Sequence, residues 1–492
     1  MKLKIKDIGY STGGPFVAVI NKNDAREVDI HKGDRVRLKK GDLEIISVVD
    51  VDEEGRSIKR GNIGLFEEVI TYLKSKKGSV EIKIAKRLNS LVYIKKKLEG
   101  NRLNKKEYNE IIKDIVNNNL NEAELTYFVS GCYANRLSLN ETYDLILAIV
   151  NNSSRLKLDR YPLLDKHCTG GVPGNRTTMV VVPVLAACGL TIPKTSSRAI
   201  SSAAGTADTM EVLANVSIGI DKIKKVVKKT NGCIVWGGAV NLASADDKLI
   251  SVRHPLSLDP ESLLLASIIA KKYAVGATHL LIDIPFGYGT KVTEKRKAIK
   301  LKRKFMALTK KLKIKTKVVF TDGSEPIGNG IGPALEARDV LAVLQNDGPE
   351  DLKEKSLYLA SILLNMVGIR NGKKRVKEIL ESGAAYKKMK DIIMEQGGNP
   401  DIKISDIKLG EYSHTIKSLK NGNVYAINNK DIAKIARVAG APEDKKAGVY
   451  LYVKKRAKIR KNENLFTIYA ENKKRLDYAL SVYKERNPFV IK

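Results

Sequence analysis

The chain has 492 residues, which is enough for several domains and a large buried core. Its 88 lysines and arginines outnumber 55 acidic residues, a formal net charge of +33, so polyanionic partners such as nucleic acids have to be considered. Aromatic residues make up only 6% of the chain, and no basic stretch interleaves with the stacking rings that single-strand binding favours. Composition therefore argues against nucleic-acid binding as the main function.

The cysteines indicate a reducing compartment. Cys132, Cys168, Cys188 and Cys233 form no CxxC pair and no metal-ligand spacing with the five histidines, as expected of free thiols. No apolar run follows the opening MKLKIKD, and no stretch is long enough for a membrane span. We expect a cytoplasmic protein without a bound metal ion and without a membrane anchor.

Residues 1–86 are rich in strand signals. Short runs around Val17 and Val19, and around Val36 and Leu38, alternate with other residue types. Glycine-containing turns separate the runs at residues 33–34, 41–42 and 54–55. The pattern predicts a small β-barrel-like domain without a catalytic cluster of its own.

From residue 87 the pattern becomes helical. The segment LNKKEYNEIIKDIVNN places Asn104 at a helix start and Ile111, Ile112 and Ile115 on one face. Similar starts follow in NEAELTYFVSGCYANR and NETYDLILAIVNN. We expect a helical lobe over residues 87–158, joined by a later segment at about 246–276.

Residues 159–396 alternate strand and helix signals. Apolar runs at 234–236, 279–285 and 317–322 end in loops rich in glycine and proline and lead into helical patterns. This alternation predicts an α/β lobe with a mainly parallel sheet. Residues 397–492 return to strand character and predict a C-terminal α+β domain, with apolar Val449, Leu451 and Val453 alternating with tyrosines.

The densest basic run, Lys291–Lys317, holds thirteen basic residues and one acid. Its apolar residues recur at helical spacing, so we expect a helix whose lysines form the solvated face. The apolar positions are Ala298, Ile299, Leu301, Phe305, Leu308 and Leu312.

The first candidate loop is DKHCTGGVPGNRTT at 165–178, after the strand-like YPLLDKH. Paired glycines let a backbone approach a ligand closely, and Lys166, Thr169 and Thr177 can donate hydrogen bonds to phosphate oxygens. The glycine spacing is not that of a P-loop, and an ordinary turn is the alternative. His167 alone would more often be a packed histidine than a catalyst.

The second loop, KTSSRAISSAAGTADTME at 194–211, lies between strand and helix signals. Backbone N–H groups and hydroxyls of such a loop can close on an anion. Lys194 and Arg198 flank its hydroxyls, and Gly205–Thr206 stands where a helix can begin. A solvated serine-rich loop is the alternative.

Two further segments carry weaker signals. In DGSEPIGNGIGPALEARD at 322–339 the glycine spacing does not fit a dinucleotide-binding loop, so we interpret it as a tight structural turn with Pro333 starting a helix. In SVRHPLSLDPESLLLASIIAKKYAVG, Asp259 is placed to cap a helix. Ser267 and Lys271 share a face of that helix, and a ligand cleft would explain this polar pair.

Four motifs in order, KHCTGG at 166–171, the 194–211 loop, RHPLSLDP…ASIIAKK at 253–272 and DGSEPIGNGIGPALEARD, together resemble the nucleoside phosphorylase family that includes thymidine phosphorylase. The resemblance is to its archaeal AMP phosphorylase branch, which shares the added N-terminal domain, and it spans residues 87–492. It supports an α/β fold class with four parts: a β-barrel-like domain, a central helical lobe, a large α/β lobe and an α+β domain.

The resemblance implies a pentosyltransferase that converts AMP and phosphate to adenine and ribose 1,5-bisphosphate, with CMP and UMP as further substrates. Inorganic phosphate is the co-substrate, no other cofactor is implied, and the chain is expected to form a homodimer or larger homo-oligomer. Such an enzyme holds two dianions, the attacking phosphate and the substrate's 5′-phosphate, and loops rich in hydroxyls and lysine suit that task.

The resemblance also assigns roles by position. Phosphate-facing positions are Lys166, Thr177, Ser196 and Thr206. Positions that contact AMP are Gly171, Ser197, Arg198, Ala199, Ile200, Ser201, Ser202, Thr206, Ser267 and Lys291. Arg253 and Lys271 match residues that face the base. Cys168 departs from the family, which usually has serine there, and a thiol is a poor hydrogen-bond donor to phosphate.

The implied mechanism is a loose displacement at the ribose C1′ by phosphate. Asp259 matches the family's proton donor to the departing base, which requires its pKa to be raised in a closed cleft, and His167 is the second candidate acid.

Two alternatives share this fold. A pyrimidine nucleoside phosphorylase needs no second anion site, which would leave Arg198 and Lys291 without a role. A phosphoribosyltransferase needs an acidic magnesium site, for which Asp246–Asp247, and Asp208 with Glu211, offer carboxylates.

Overall fold

The computed structural model describes residues 1–14, 16–199, 202–240, 242, 244–253, 258 and 260–492. The chain divides into two compact units. The first unit comprises residues 1–153 and 243–267, and the second comprises residues 154–242 and 268–492. In the described part of the chain, no helix combines the length and the apolar character that crossing a membrane requires.

The N-terminal part of the first unit is a closed six-stranded barrel in the strand order β1-β5-β2-β4-β3-β6. Its elements are β1 (Lys2–Asp7), β2 (Val17–Asn21), α1 (Lys22–Glu27), β3 (Arg35–Lys40), β4 (Leu43–Asp52), β5 (Asn62–Leu65), α2 (Glu67–Leu73) and β6 (Ser79–Ile84). The β1–β5 and β2–β4 pairs are parallel, and the others are antiparallel. The predicted barrel-like domain is confirmed.

Side chains point alternately into and out of the barrel along each strand, and this alternation decides which residues form the barrel core. Val36 and Leu38 of β3 are fully buried, whereas in β2 the buried residues are Ala18 and Ile20. Val17 of β2 is half-buried, on the outer side of the same alternation. The barrel core is therefore filled by one face of each strand.

Four helices follow the barrel: α3 (Asn89–Leu98), α4 (Lys105–Val116), α5 (Glu122–Ala134) and α6 (Leu139–Asn151). The predicted start of α4 is confirmed, because the Asn104 side chain accepts from the backbone N–H of Glu107 at 3.0 Å while Glu107 accepts from that of Asn104 at 2.8 Å. The face carrying Ile111, Ile112 and Ile115 is buried, also as predicted.

Strands and helices then alternate. In chain order they are β7 (Leu164–Cys168), α7 (Thr177–Ala187), β8 (Ile192–Ser196), α8 (Thr206–Glu211), α9 (Ile220–Thr230), β9 (Gly232–Trp236), α10 (Ser244–Arg253), α11 (Glu261–Val275), β10 (His279–Phe286), α12 (Lys295–Lys311), β11 (Lys315–Asp322), β12 (Gly330–Ile331), α13 (Pro333–Leu344), α14 (Glu350–Met366), α15 (Gly372–Glu381) and α16 (Ala384–Glu395). Short 3₁₀ turns lie at Gly237–Val240 and Ile404–Asp406.

The second unit contains the predicted parallel sheet. Strands β11, β10 and β7 are hydrogen-bonded in parallel, as are β8 and β9, and a parallel bridge from Leu163 to Thr191 connects the two sets. The sheet packs against α7, α13, α14 and α16 through one large apolar core. Because the strands are parallel, the loops that follow β7 and β8 emerge at the same edge.

The basic run forms α12, as predicted. Ala298, Leu301, Phe305 and Leu308 are buried along one face. Ile299 is 37% exposed, so it lies at the margin of that face rather than within it. Most of the lysines of α12 are solvated.

The C-terminal region contains β13 (Tyr412–Lys417), β14 (Gly422–Ile427), α17 (Asn429–Val438), β15 (Gly448–Leu451), β16 (Lys458–Ile459), β17 (Asn464–Ala470), α18 (Lys473–Glu485) and β18 (Phe489–Ile491). Its sheets are antiparallel, in the orders β12-β15-β17-β13 and β16-β14-β18. Val449 and Leu451 are buried as the alternation predicts. Strand β12 belongs to the preceding segment of the chain but pairs with β15 through Gly330 and Ile331.

Candidate functional site

A buried lysine lies near the carboxyl end of β7. Lys166 is only 1% exposed, and its Nζ donates to the hydroxyl of Thr177 at 2.6 Å and to that of Thr178 at 3.4 Å. Both threonines stand in the first turn of α7. Burial lowers the pKa of Lys166, against the opposing charge of Asp283. The site therefore combines an ammonium group with the N-terminal end of an eleven-residue helix, which favours anions.

The glycines after β7 bring the first loop against a second lysine. Gly170 and Gly171 have φ values of +88° and +89°, where side chains are strained. A Cβ atom on Gly171 would lie 2.6 Å from the backbone nitrogen of Lys291. Only glycine permits this approach, so two predicted site residues, Gly171 and Lys291, are neighbours.

Cys168 faces the same loop as a hydrogen-bond acceptor. Its Sγ accepts from the backbone N–H of Gly170 at 3.4 Å and from the Asn175 side chain at 3.3 Å. Burial raises the pKa of the thiol, which keeps it neutral. Its contacts indicate that Cys168 supports the turn of the loop.

The 194–211 loop is organised by a carboxylate. Asp208 accepts from the backbone N–H groups of Ala199 at 2.7 Å and Gly205 at 2.8 Å. Arg198 binds Glu211 through two hydrogen bonds and stacks on Trp236, 4.9 Å from the ring centroid. The guanidinium of Arg198 is thus held by Glu211 and Trp236, and the sequence pattern did not predict these two contacts.

A second buried network joins this loop to α7 and α13. Arg176 forms an ion pair with Glu336 and donates to the Ala204 carbonyl at 2.7 Å and to the Thr206 hydroxyl at 3.4 Å. Glu336 also accepts from the hydroxyl of Thr209 at 2.9 Å. Sequence reasoning missed this pair, because 160 positions separate the partners.

The opposite face of β7 carries a further charge cluster. Asp165 is fully buried, with Lys272 Nζ at 2.8 Å and Lys194 Nζ at 3.6 Å. Burial and the charge of Lys272 hold the pKa of Lys194 well below its usual range. The pKa of His167 is also held well below its usual range, by burial first and then by the surrounding lysines. His167 is therefore neutral near pH 7.

The third loop has the structural character expected of it. Asp339 accepts from the backbone N–H groups of Asn329 and Gly330, both at 2.7 Å. Pro333 begins α13, as predicted. Burial raises the pKa of Asp339 to about 6.

The other predicted residues lie in the first unit, elsewhere in the second unit, or outside the described residues. In the first unit, Ser267 donates to Asp246 at 2.6 Å, and Arg253 lies 3.8 Å from the same carboxylate. Asp259, Ile200 and Ser201 lie outside the described residues. In the second unit, Lys271 is half-buried on α11 and Ser196 ends β8, where its hydroxyl donates to the Ser197 carbonyl at 3.4 Å. Ser202 donates to the Ala204 carbonyl at 3.0 Å.

Comparison with known proteins defines the class. Residues 92–153 match the helical bundle domain of the glycosyl transferase family, and residues 160–386 match its a/b domain. Residues 423–489 match the pyrimidine nucleoside phosphorylase C-terminal domain. The fold resembles that of anthranilate phosphoribosyltransferase from Thermus thermophilus, with a TM-score of 0.52 and 17% identity, covering 62% of this chain and 99% of that one. The chain is thus a glycosyl transferase of this class.

Full-length relatives define the family. The chain is 45% identical to the AMP phosphorylase of Pyrococcus furiosus, over 100% of this chain and 98% of that one. It is 46% identical to the AMP phosphorylase of Pyrococcus horikoshii with the same coverage. It is 42% identical to AMP phosphorylase 1 of Archaeoglobus fulgidus, over 97% of this chain and 95% of that one. The chain belongs to the AMP phosphorylase family, which confirms the resemblance of its motifs.

Proposed function

We propose that this chain catalyses the phosphorolysis of nucleoside 5′-monophosphates, in which AMP and phosphate give adenine and ribose 1,5-bisphosphate. The observation that carries the proposal is the buried Lys166 ammonium, bonded to Thr177 in the first turn of α7. A buried cation beside helical N–H donors is a favourable environment for a phosphate dianion. Thr206 and Ser196 complete the proposed phosphate-binding set.

Lys291 supports a second anion site for the 5′-phosphate. Its backbone lies against Gly171, so that its side chain starts close to the first loop. A nucleoside has no 5′-phosphate and would not need this cation. The proposal therefore favours a nucleotide substrate, and CMP and UMP are further proposed substrates.

In the proposed reaction, a phosphate oxygen forms a bond to C1′ while the bond from C1′ to the base nitrogen breaks. The electron pair of that bond leaves with the base, and Asp259 supplies the proton. A neutral imidazole is a far weaker acid than an imidazolium, so the lowered pKa of His167 favours Asp259 over His167 as the proton donor. Arg253, Ser267 and Lys271 are proposed to bind the nucleoside part.

The phosphoribosyltransferase alternative is less well supported. Its candidate magnesium ligands are Asp246–Asp247, and Asp208 with Glu211. Asp208 accepts from two backbone N–H groups, and Glu211 binds Arg198 and Lys445. Asp246 accepts from Ser267 and lies 3.8 Å from Arg253. Carboxylates neutralised by cations are poor ligands for a hard divalent ion. We propose that turnover needs no cofactor besides phosphate.

The oligomeric state of the chain and its location in the cell are also proposals. The resemblance of the motifs favours a homodimer or a larger homo-oligomer, to be measured by light scattering. The four cysteines are free thiols, which supports a cytoplasmic location.

The test is to incubate the protein with AMP, CMP, UMP, adenosine or thymidine, with and without phosphate, and to quantify the free base. Base released from AMP only with phosphate supports the proposal. Release from adenosine or thymidine but not from AMP would make the chain a nucleoside phosphorylase. Activity that chelators abolish would contradict the cofactor-free reaction.

A further inference from the structure

Asp283 lies in β10 at the centre of the parallel sheet and is fully buried. It is in register with Cys168 of β7, and its backbone carbonyl accepts from the N–H of Thr169 at 3.0 Å. Since side chains alternate along a strand, Asp283 shares one face of the sheet with Cys168 and Lys166. Its Oδ1 accepts from the hydroxyl of Thr321 at 2.6 Å.

A lysine from α14 reaches this carboxylate. Lys355 Nζ lies 3.4 Å from Asp283 Oδ2, and its side chain is only 10% exposed. Within the described part of the chain, this buried nitrogen has no hydrogen-bond partner, and neither has the buried hydroxyl of Thr169. An ammonium carries three donors, and leaving them unsatisfied away from water is costly.

The charges on this face do not balance. Lys166 and Lys355 contribute two ammonium groups, and Asp283 contributes one carboxylate. Burial lowers the pKa of Lys166, and the nearby charge of Lys355 lowers it further. An anion with several oxygens would neutralise the excess charge and accept from the unused donors.

We propose that Lys355 is a second ammonium group of the phosphate-binding site and binds the attacking phosphate together with Lys166. Asp283 holds Lys355 in position through the ion pair at 3.4 Å. The inference rests on the proposed function for the identity of the anion. It extends the site to α14, about 190 positions beyond the motif that contains Lys166.

The first experiment measures binding of inorganic phosphate to the full chain by calorimetry. Lys355→Met is expected to weaken binding by about tenfold or more, as loss of a hydrogen bond from a charged donor does. The matched control is Lys353→Met on the same helix, since Lys353 also has a carboxylate at 3.4 Å, that of the exposed Glu350. Unchanged phosphate binding in Lys355→Met, or equal losses in both variants, would overturn the inference.

A second variant separates binding from simple neutralisation of Asp283. If Lys355 served only to balance that carboxylate, the double variant Asp283→Asn/Lys355→Met would recover phosphate affinity to within about threefold of the wild type. We expect the double variant to remain about tenfold weaker or worse. It also removes the unpaired charge that could unfold the single variant, and thermal melting checks that it is folded.

Steady-state kinetics links this binding to turnover. Lys355→Met is expected to raise KM for phosphate by about tenfold and to leave KM for AMP within about threefold. Equal increases in both KM values would overturn the inference. If the wild type binds phosphate but releases no base from any nucleotide, the proposed function fails while the calorimetric comparison still decides the role of Lys355.

Discussion

The Nζ atom of Lys166 and the hydroxyl of Thr177 are joined by a hydrogen bond of 2.6 Å between the end of β7 and the first turn of α7. Replacing Lys166 by Met removes the buried charge and leaves the hydroxyl in place. We expect kcat/KM for AMP phosphorolysis to fall by about 10- to 100-fold or more, because a hydrogen bond to a charged group contributes about 1.5–3 kcal/mol. Thr177→Val, measured in the same assay, should reduce it less; a larger loss in Thr177→Val would contradict the assignment.

The two candidate proton donors, Asp259 and His167, can be distinguished by how much kcat falls when each is substituted. Asp259→Asn should lower kcat by about 10²–10⁴-fold, the contribution of a placed general acid. His167→Asn should lower kcat far less, because the pKa of His167 is too low for it to be protonated near neutral pH. Single-turnover measurements of base release with both variants check this, and a loss below about threefold in Asp259→Asn would shift the role to His167.

Gly171 tests whether the first loop must touch the segment at Lys291. Gly171→Ala should reduce turnover of AMP by about tenfold or more, because its Cβ would meet the Lys291 backbone and displace it. The control is Gly189→Ala: Gly189 has a φ of +81°, yet a Cβ atom there would meet nothing within 4 Å. Both substitutions add similar backbone strain, so equal activities would mean that the contact is unimportant.

The buried pair of Arg176 and Glu336 should dominate local stability. Arg176→Met leaves a buried carboxylate without its cation and is expected to cost about 3–5 kcal/mol in the free energy of unfolding. The double variant Arg176→Met/Glu336→Gln should cost less than the single variant. Chemical denaturation measures all three proteins, and strictly additive losses would show that the two residues do not interact.

Asp339 gives stability a pH dependence. Its folded pKa of about 6 lies above its ordinary value of 3.8, so the folded protein binds the proton more tightly than the unfolded chain. This contribution is full below about pH 3.8 and is lost as the pH rises through 6, amounting to about 3 kcal/mol. Urea denaturation from pH 4 to 7 should show wild type losing this stability relative to Asp339→Asn. Parallel curves for the two proteins would refute it.

Local signals were sufficient to predict much of the fold. The cap at Asn104, the buried face of α4 and the start of α13 at Pro333 each depend on a few neighbouring residues. The register of the barrel and the inward position of Ala18 rather than Val17 depend on strand pairing, which sequence alternation does not determine.

The candidate site likewise contains residues that a local motif predicts and residues that only the folded structure brings together. Lys166 and Gly171 are visible in one short motif, where a lysine and paired glycines stand together. Glu336, which pairs with Arg176, and Lys355, which pairs with Asp283, lie far along the chain in helices of ordinary composition. No local pattern therefore distinguishes them from surface charges.

Strand β12 makes the C-terminal region inseparable from the turn at 322–332. Gly330 and Ile331 pair with β15, and Lys454 donates to the Pro326 carbonyl at 3.1 Å and to Asp351 at 2.8 Å. A chain cut near residue 396 would leave β12 as an unpaired edge and release these anchors. Chimaeras that exchange residues 397–492 between relatives must therefore exchange the turn at 322–332 as well, because the two segments pair with each other in the fold.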